Sequence, residues 1–433
     1  MNQTDEAALK AGKNTRRIRG KHLTIAVACC LIAASAASYS TFFSFFLVPV
    51  STALNIDRMA YSFIMSVVSI TGLIFAIVWG QLLGKVGIRR VILICCTITT
   101  VCFLGFAFAT NITFFYILAA IMGIGTGGGT TLCAATLVSI WFQEKRGQVM
   151  SIVMACINIG GVVGGFVIPA FIASFGWQMG YIIVAVYFFV LTIPAGIFMV
   201  RNKPQDVGLL PFGVKDAAAA DGAAHGHGDD DLPGISFGRG MKSPTFYLLF
   251  LGIAFLGFPA SFIQHISAFG TDQGLTPEWA GMLIVVVSLA SIVCTIIAGQ
   301  INDKIGPMKT TLILEILFAV SFLAFFLVTG FVPLLITGIV FSFGLGFTAV
   351  MPPILVGTLF GPKDFSKYFG LLTPAMAIGF VVGTPLLGSI YDQNHSYNFA
   401  FILCIIFIAA GVVCIASCLK ASKKLWAELQ QTK

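Results

Sequence analysis

Two loops decide how this chain folds: GQLLGKVGIRR at residues 80–90 and GQINDKIGPMK at residues 299–309. Glycine, lysine, glycine and a closing base recur in them at the same internal positions. The first loop follows the second apolar run of the chain, and the second loop follows the eighth. Because the same loop stands at equivalent places in the two halves, the sequence predicts a duplicated unit.

Outward from these loops, the chain consists of long apolar runs. Hydrophobic residues make up 58% of the 433 and charged residues 10%, against about 25% charged in soluble proteins. About 20 apolar residues cross a bilayer, and twelve runs reach that length. The predicted fold is therefore all-α and integral to a membrane, with twelve transmembrane helices in two pseudo-symmetric six-helix bundles. The approximate spans are 22–49, 60–83, 91–110, 113–139, 148–174, 178–200, 245–269, 277–299, 310–329, 331–358, 367–390 and 397–419.

The same runs divide the chain into five parts. A polar, low-complexity stretch with an alanine run and three consecutive aspartates separates the two sets of spans, and it predicts a linker without regular structure. The expected boundaries are 1–21 for an N-terminal tail, 22–200 for the first bundle, 201–243 for the linker, 244–419 for the second bundle and 420–433 for a C-terminal tail.

Basic residues fix the expected orientation. The two tails, the linker and the even-numbered loops hold 24 of the 25 lysines and arginines, and only Arg58 lies on the other side. Since Lys and Arg favour cytoplasmic loops, both termini are expected in the cytoplasm. Ala34, Ser35 and Ala36 resemble a signal-cleavage site, but the apolar run continues well beyond them, so we expect an uncleaved first helix.

Several other classes of function are disfavoured. The 11 cysteines lie almost wholly in apolar runs and show neither disulfide nor metal spacing. The glycine-rich stretch 123–131 lacks the ending of a phosphate loop, and His225 and His227 lie in the acidic linker, where a metal site is less expected than a solvated segment. The sequence shows no nucleophile–base pair that would indicate an enzyme. It also shows no basic face on a soluble segment that would indicate nucleic-acid binding. We therefore expect no cofactor and no metal.

The repeated loop resembles the signature Gly-x-x-x-Asp-(Arg/Lys)-x-Gly of the major facilitator superfamily. The second loop matches it, whereas the first has Gly84 in place of the acid. The resemblance implies alternating access between two rocking bundles. It also implies that the loops latch the bundles together in one access state, and the implied gate residues are Gly80, Gly84, Lys85, Gly87, Arg90, Gly299, Asp303, Lys304, Gly306 and Lys309.

Four short motifs carry a narrower resemblance: 141–147, 203–211, 242–246 and 359–362. Together they resemble the bacterial oxalate/formate antiporter and monocarboxylate-transporter-like branch. This implies a monomeric carrier of a small organic anion in a bacterial inner membrane. Because no Asp or Glu lies deep in any span, proton coupling would rest on His265, and we expect exchange or facilitated movement. Those relatives place cations on spans eight and eleven, where this chain has Thr295 and Met376. Because a dianion needs compensating charge in the membrane, oxalate itself is disfavoured.

The resemblance also implies that spans one, four, seven and ten line the pathway. His265 is the mid-span ionisable residue there. In a functional role it would contact a carboxylate of the substrate or carry a proton. In a structural role it would be a neutral histidine that is hydrogen-bonded to a neighbouring helix. Glu315 is expected to reach the interface or to pair with a loop base. The candidate substrate-binding residues are Tyr39, Thr41, Thr131, Gln264, His265, Thr295, Phe343, Phe347 and Met376.

Two other functions stay open. The phenylalanine-rich spans and the missing cations suit a carrier or exporter of a more hydrophobic metabolite or drug. A transporter-like sensor without net flux is less favoured, because neither tail nor linker suggests an output segment. In each case the expected partners are a small organic molecule and membrane lipid.

Overall fold

The computed structural model describes residues 20–431, except residues 37, 130, 143, 145, 208, 213–233 and 362. Within these residues the regular elements are helices, apart from an isolated bridge between Phe142 and Phe212. The helices of the first half are α1 Gly20–Ala36, α2 Tyr39–Leu54, α3 Arg58–Val86, α4 Ile88–Ala107, α5 Ile112–Gly129, α6 Thr131–Trp141, α7 Arg146–Cys156, α8 Ile159–Phe175 and α9 Trp177–Pro194.

A π-helical turn, Ala195–Met199, and a 3-10 turn, Pro204–Val207, follow α9. The second half contains α10 Phe237–Met241, α11 Pro244–Ala260, a 3-10 turn Ser261–Gln264, α12 Ile266–Asp272, α13 Pro277–Ile305, α14 Pro307–Leu327, α15 Phe331–Phe360, α16 Phe365–Asn394 and α17 Asn398–Gln431.

The predicted membrane architecture is confirmed. The described residues contain eleven helical segments that are long and apolar enough to cross a membrane. The predicted fourth span corresponds to α5 and α6, which lie on either side of residue 130. Large apolar side chains on the outer surface are widely exposed, as expected for lipid contact, and examples are Ile77 at 68%, Phe198 at 74% and Leu327 at 69%.

Two boundaries differ from the sequence-based expectation. The expected C-terminal tail at 420–433 is helical as far as Gln431, because α17 runs on through a stretch without glycine or proline. The expected linker at 201–243 likewise contains regular structure, the 3-10 turn Pro204–Val207 and α10 Phe237–Met241. Residues 208 and 213–233 of the linker and most of the N-terminal tail lie outside the described residues.

Aromatic side chains fill the interior of both halves. Phe46 stacks on Tyr181 with ring centroids 3.8 Å apart, and Phe258 stacks on Phe407 at 4.3 Å. Such pairs add to the packing that must hold membrane helices together, since lipid supplies no hydrophobic force between them. Aromatic packing therefore contributes to the interior of each bundle.

The two bundles meet along α3 with α16 and along α8 with α13. Glycines allow the second contact: a Cβ at Gly165 would lie 2.9 Å from the Gly281 carbonyl oxygen, and a Cβ at Gly281 would lie 2.7 Å from that of Gly165. We call the end of the molecule formed by 80–90 and 299–309 the loop side, and the opposite end, where α3 begins, the Arg58 side.

Candidate functional site: the transport pathway and its gates

Spans that are predicted to line the pathway contain interrupted helices. The first span breaks between α1 and α2, and the seventh unwinds into the 3-10 turn Ser261–Gln264 before α12 begins. At bilayer depth, non-helical backbone is tolerated only where protein or a water-filled cavity satisfies it. The fifth span is also interrupted, between α7 and α8, so the placement of spans one and seven along the pathway stays a prediction.

His265 lies at the junction between that turn and α12 and has no exposed surface. Its Nε2 is 2.9 Å from the Thr384 carbonyl oxygen, and its Nδ1 is 3.1 Å from the Tyr397 hydroxyl. A carbonyl can only accept, so Nε2 carries the proton and Nδ1 accepts from Tyr397. In this conformation the histidine is thus hydrogen-bonded to neighbouring helices, as expected for the structural role, and does not present a free ring nitrogen to a substrate.

Arg58 closes its end of the molecule. Its guanidinium binds Asp272 of the other bundle through two contacts, Nη1 to Oδ2 at 2.6 Å and Nη2 to Oδ1 at 2.7 Å. Nη1 also donates to the Tyr397 hydroxyl at 3.1 Å, and the Tyr391 ring lies 3.6 Å from the guanidinium carbon. Bidentate pairing and ring stacking are the geometry for which arginine is suited and lysine is not.

Asp392 adds a second bond between the bundles at the same end. Its Oδ1 accepts from the Arg58 backbone N–H at 3.0 Å, and its Oδ2 accepts from that of Met59 at 2.8 Å. These amides belong to the first turn of α3, where no intrahelical partner exists and the helix dipole favours an anion. We call Arg58, Asp272, Tyr391, Asp392 and Tyr397 together the Arg58 gate.

Two further hydrogen bonds continue the closure toward the middle of the membrane. Ser66 donates to the Val381 carbonyl at 2.7 Å, and the Ser267 N–H donates to the Ser44 hydroxyl at 3.4 Å. Beside them a cavity of about 60 Å³ remains between the bundles, lined mainly by apolar groups that include Phe45, Pro169 and Pro277. This cavity is too small for an organic solute.

The predicted lining residues on spans one and four are only partly placed. The Tyr39 hydroxyl is hydrogen-bonded to Thr126. The Thr41 methyl lies near Gly161, where a Cβ would be 3.5 Å from it and 2.2 Å from Ser288 Oγ. Thr131 begins α6, but its side chain lies outside the described residues.

The remaining candidate substrate-binding residues offer few polar groups to a substrate. Thr295 is partly exposed, and its hydroxyl donates to the Ser291 carbonyl of its own helix at 2.7 Å. The main chain and sulfur of Met376 pack against Gly257. Phe343 is partly exposed, whereas Phe347 and Gln264 are buried. The structure therefore brings hydroxyls and aromatic rings to these positions, and no charge.

Three glycines of the signature loops have open space beside them on the loop side. A Cβ at Gly80, Gly299 or Gly306 would meet nothing within 4 Å. Asp303 is exposed and has no ion-pair partner among the described residues. The other charged loop residues, Lys85, Arg90, Lys304 and Lys309, are exposed as well.

The first loop instead packs on its own bundle. Gly87 has a φ of +88° and faces the Asn202 side chain. That side chain accepts from the Arg89 N–H at 2.9 Å, and the Arg89 guanidinium donates to the Gly196 and Ile197 carbonyls. For Gly84 the surroundings are outside the described residues.

Comparison with known proteins agrees with this architecture. The sequence profile of the Major Facilitator Superfamily matches residues 28–356 and, in a second match, residues 246–426. The chain belongs to the major facilitator superfamily.

Individual superfamily members are similar to it at low identity. YcxA, an MFS-type transporter of Bacillus subtilis, is 23% identical over 398 residues, 87% of this chain and 90% of YcxA. Human monocarboxylate transporter 7 is 30% identical over 179 residues, 40% of this chain and 34% of that transporter. Among solved structures, the nucleoside transporter NupG superposes with a TM-score of 0.69 at 13% identity, over 93% of this chain and 100% of its own.

The expectation for Glu315 was wrong. The residue is 1% exposed, and neither carboxylate oxygen has a hydrogen-bond partner among the described residues. The reason is its helical register: Thr311, Glu315, Phe318 and Phe322 form the inward stripe of α14. The side chain therefore points into the packed bundle and cannot reach the interface.

Reasoning from the superfamily loops did not identify the residues of the Arg58 gate. Arg58 was recognised only as the base that broke the charge asymmetry. A signal was nevertheless present, because Asp272 and Asp392 stand at the ends of two other spans on that same side. A single base facing several acids across a bundle interface predicts an ion pair.

Proposed function

We propose that this major facilitator protein is a secondary transporter that carries a small, uncharged and largely apolar organic metabolite by alternating access. Two bundles, closed on the Arg58 side and separated at the signature loops, suit that mechanism. The proposed pathway is lined by the candidate substrate-binding residues, which offer hydroxyls and rings and, at Gln264, an amide.

The observation that carries the proposal is the absence of an available cation along the described part of the pathway. Thr295 and Met376 occupy the positions where anion-carrying relatives hold cations. His265 has both ring nitrogens bonded, and the Arg58 guanidinium is taken by Asp272. An uncompensated carboxylate in such a site would cost several kcal/mol.

A monocarboxylate is the second candidate. The four motifs of the oxalate/formate and monocarboxylate-transporter-like branch favour it, as does the similarity to human monocarboxylate transporter 7. On this reading His265 and Gln264 contact the carboxylate after the Arg58 side opens, and transport proceeds by exchange.

The orientation and assembly belong to the same proposal. Because 24 of 25 bases lie on the loop side or in the segments joined to it, we place that side and both termini in the cytoplasm. The bundles, bounded near 22–200 and 244–419, act within a monomer of a bacterial inner membrane. Asp303, Lys304 and the bases of the first loop latch the loop side when the Arg58 side opens.

The test uses purified protein in liposomes and matched pairs of solutes. Each pair consists of an aromatic or alkyl carboxylic acid and its primary amide, so that the two share an apolar body and differ in charge. We expect uptake, above that of protein-free liposomes, for amides and not for the acids. Uptake of acids alone would reject the uncharged substrate and support the monocarboxylate.

A matched variant controls for leakage. At Gly161 a Cβ would lie 2.2 Å from Ser288 Oγ, whereas at Gly370 it would meet nothing within 4 Å. Gly161→Ala should reduce uptake and Gly370→Ala should not, because only the first disturbs the contact between bundles. Equal uptake by both variants and by protein-free liposomes would show that the amides cross the lipid unaided.

A further inference from the structure

A directed chain of hydrogen bonds joins the buried histidine to the Arg58 gate. Arg58 Nη1–H donates to the Tyr397 oxygen at 3.1 Å, the Tyr397 O–H donates to His265 Nδ1 at 3.1 Å, and His265 Nε2–H donates to the Thr384 carbonyl at 2.9 Å. The last bond fixes the direction of all the others, because a carbonyl has no hydrogen to give. The chain is complete only while Nδ1 carries no proton.

A proton on Nδ1 reverses one bond of this chain. The imidazolium must then donate at both nitrogens, so the Tyr397 oxygen faces two donors, from Arg58 and from His265. Its own hydrogen loses its acceptor in a fully buried site, which is costly. Two cations also come to flank one hydroxyl, and their repulsion is strong where water is excluded.

The neighbouring acids are already engaged while the gate is closed, and neither is hydrogen-bonded to His265. Both oxygens of Asp272 bind Arg58, and its carboxylate also bonds the Tyr391 hydroxyl. Both oxygens of Asp392 accept the first amides of α3. His395 is exposed at the rim, beside Tyr391.

The elements packed on the His265 turn carry other titratable groups outside the gate, among them Tyr39 on α2, Tyr247 on α11, Glu315 on α14 and Tyr368 on α16, and none of these four is hydrogen-bonded to His265. Among the described residues, α2 contributes Ser44 next to the turn, and its titratable side chain, Tyr39, lies at its first residue. Phe262, in the turn itself, packs on phenylalanines of α14 and α15.

We propose that His265 is a proton-binding site that controls the Arg58 gate: a proton at Nδ1 withdraws the acceptor of Tyr397 and opens the Arg58 side. By linkage, the closed state then disfavours the proton and the open, hydrated state accepts it near the ordinary histidine pKa of ~6.5. Below that value each pH unit shifts the closed-to-open ratio by up to about tenfold. The inference rests on the proposed alternating access and is independent of the substrate.

The gate can be read without any substrate. The amide hydrogens of Arg58 and Met59 bond to Asp392 only when the gate is closed. Their hydrogen–deuterium exchange, measured on the full chain in lipid nanodiscs and corrected for the intrinsic effect of pH, reports opening. We expect exchange at least about tenfold faster at about pH 5 than at about pH 8.

Three variants decide whether His265 is responsible. In His265→Asn the side-chain oxygen accepts from Tyr397 but cannot titrate, so exchange should be slow and independent of pH. Tyr397→Phe keeps the histidine and breaks the chain, so exchange should be fast at both pH values. His395→Asn is the matched control, since asparagine tolerates its φ of +48°, and it should keep the pH step.

Each outcome has one meaning. A pH step that persists in His265→Asn, or disappears in His395→Asn, overturns the proton site. Should His265→Asn fail to fold, a pH step retained in Tyr397→Phe overturns it equally. If the two amides exchange at the same slow rate in every variant and at both pH values, the Arg58 side does not open at all, and alternating access itself is rejected.

Discussion

The two ends of this transporter are held by opposite means. On the Arg58 side one base, two carboxylates and two tyrosines are locked to each other across the bundles, and the Arg58 and Asp272 side chains are only 11% and 22% exposed. On the loop side most of the described bases are exposed, and Asp303 has no ion-pair partner among the described residues. Among the described residues, charge is thus scarce and paired across the bundles at one end, and abundant but without an ion pair across the bundles at the other.

Glycines show the same contrast along a single helix. Near the Arg58 end of α16, a Cβ at Gly388 would lie 2.9 Å from the main chain of Met59. Near the loop end of α16, a Cβ at Gly370 would meet nothing within 4 Å. One helix therefore contacts the other bundle closely at one end and leaves open space at the other, as expected for rocking about a central site.

Gly388→Ala is the most direct test of the close contact at the Arg58 end of α16. The added methyl group meets backbone atoms of Arg58 and Met59, which cannot rotate away as a side chain can, so α3 must shift from α16. Overpacking of this kind costs about 1–3 kcal/mol. We expect amide exchange at Arg58 and Met59 to rise by about tenfold or more.

Gly370→Ala is the control for that experiment. Both changes replace a helical glycine by the residue with the highest helix propensity, so helix stability alone would favour each of them slightly. Only the Gly388 change should speed exchange on the Arg58 side. Equal behaviour of the two variants would mean that the close approach at Gly388 does not limit opening.

Removing one charge at each end compares the two sides directly. In Asp272→Asn the Arg58 guanidinium keeps a polar neighbour but loses its bidentate carboxylate in a partly buried site. Allowing for the remaining exposure, we expect a weakening of the gate by about 1–2 kcal/mol, roughly a tenfold rise in exchange at the Arg58 and Met59 amides.

Asp303→Asn makes the same chemical change on the loop side. Because Asp303 is exposed and takes part in none of the described ion pairs in this state, its loss does not weaken the closed gate. Since we propose that Asp303 latches the loop side once the Arg58 side opens, the Arg58 and Met59 amides should exchange no faster than in wild type. A comparable acceleration in both variants would show that overall charge, and not the paired geometry, sets the opening of the Arg58 side.

Much of this arrangement could be predicted from the sequence. Apolar run length gave the spans, and the repeated loop gave the two halves, because both are local patterns that the bilayer enforces. The asymmetry of basic residues also singled out Arg58. Its partners could not be assigned in the same way, since Asp272 and Asp392 lie more than two hundred residues away in the chain.

The candidate site was less accessible to sequence reasoning for a geometric reason. His265 was expected in the middle of a helix, but the span unwinds before it, which turns the ring toward Thr384 and Tyr397. Glu315 was misplaced because an apolar run around it hides which face is inward; every face of such a helix looks alike in composition. Which side chains meet depends on how the bundles dock, and no local pattern records that.

The smallest expected effect concerns a contact on the loop side that stays within one bundle. Asp364, between α15 and α16, accepts from Lys367 Nζ at 2.6 Å and from the Phe237 N–H at 2.9 Å, which attaches α10 to the second bundle. The Lys367 hydrogen bond, helped by the Phe237 N–H, holds the pKa of the Asp364 carboxyl below its ordinary value. A lowered pKa stabilises the folded state above the unfolded pKa of ~3.9, and this contribution is lost as the pH falls further.

Asp364→Asn should therefore lower the melting temperature by about 1–2 °C at about pH 7, and the difference from wild type should shrink at about pH 3. Asparagine tolerates the φ of +52° at this position, so backbone strain does not enter. Since the contact does not cross between the bundles, exchange at the Arg58 and Met59 amides should be unchanged. Faster exchange there would mean that the loop side transmits local stability to the Arg58 gate, and the two ends would no longer be independent.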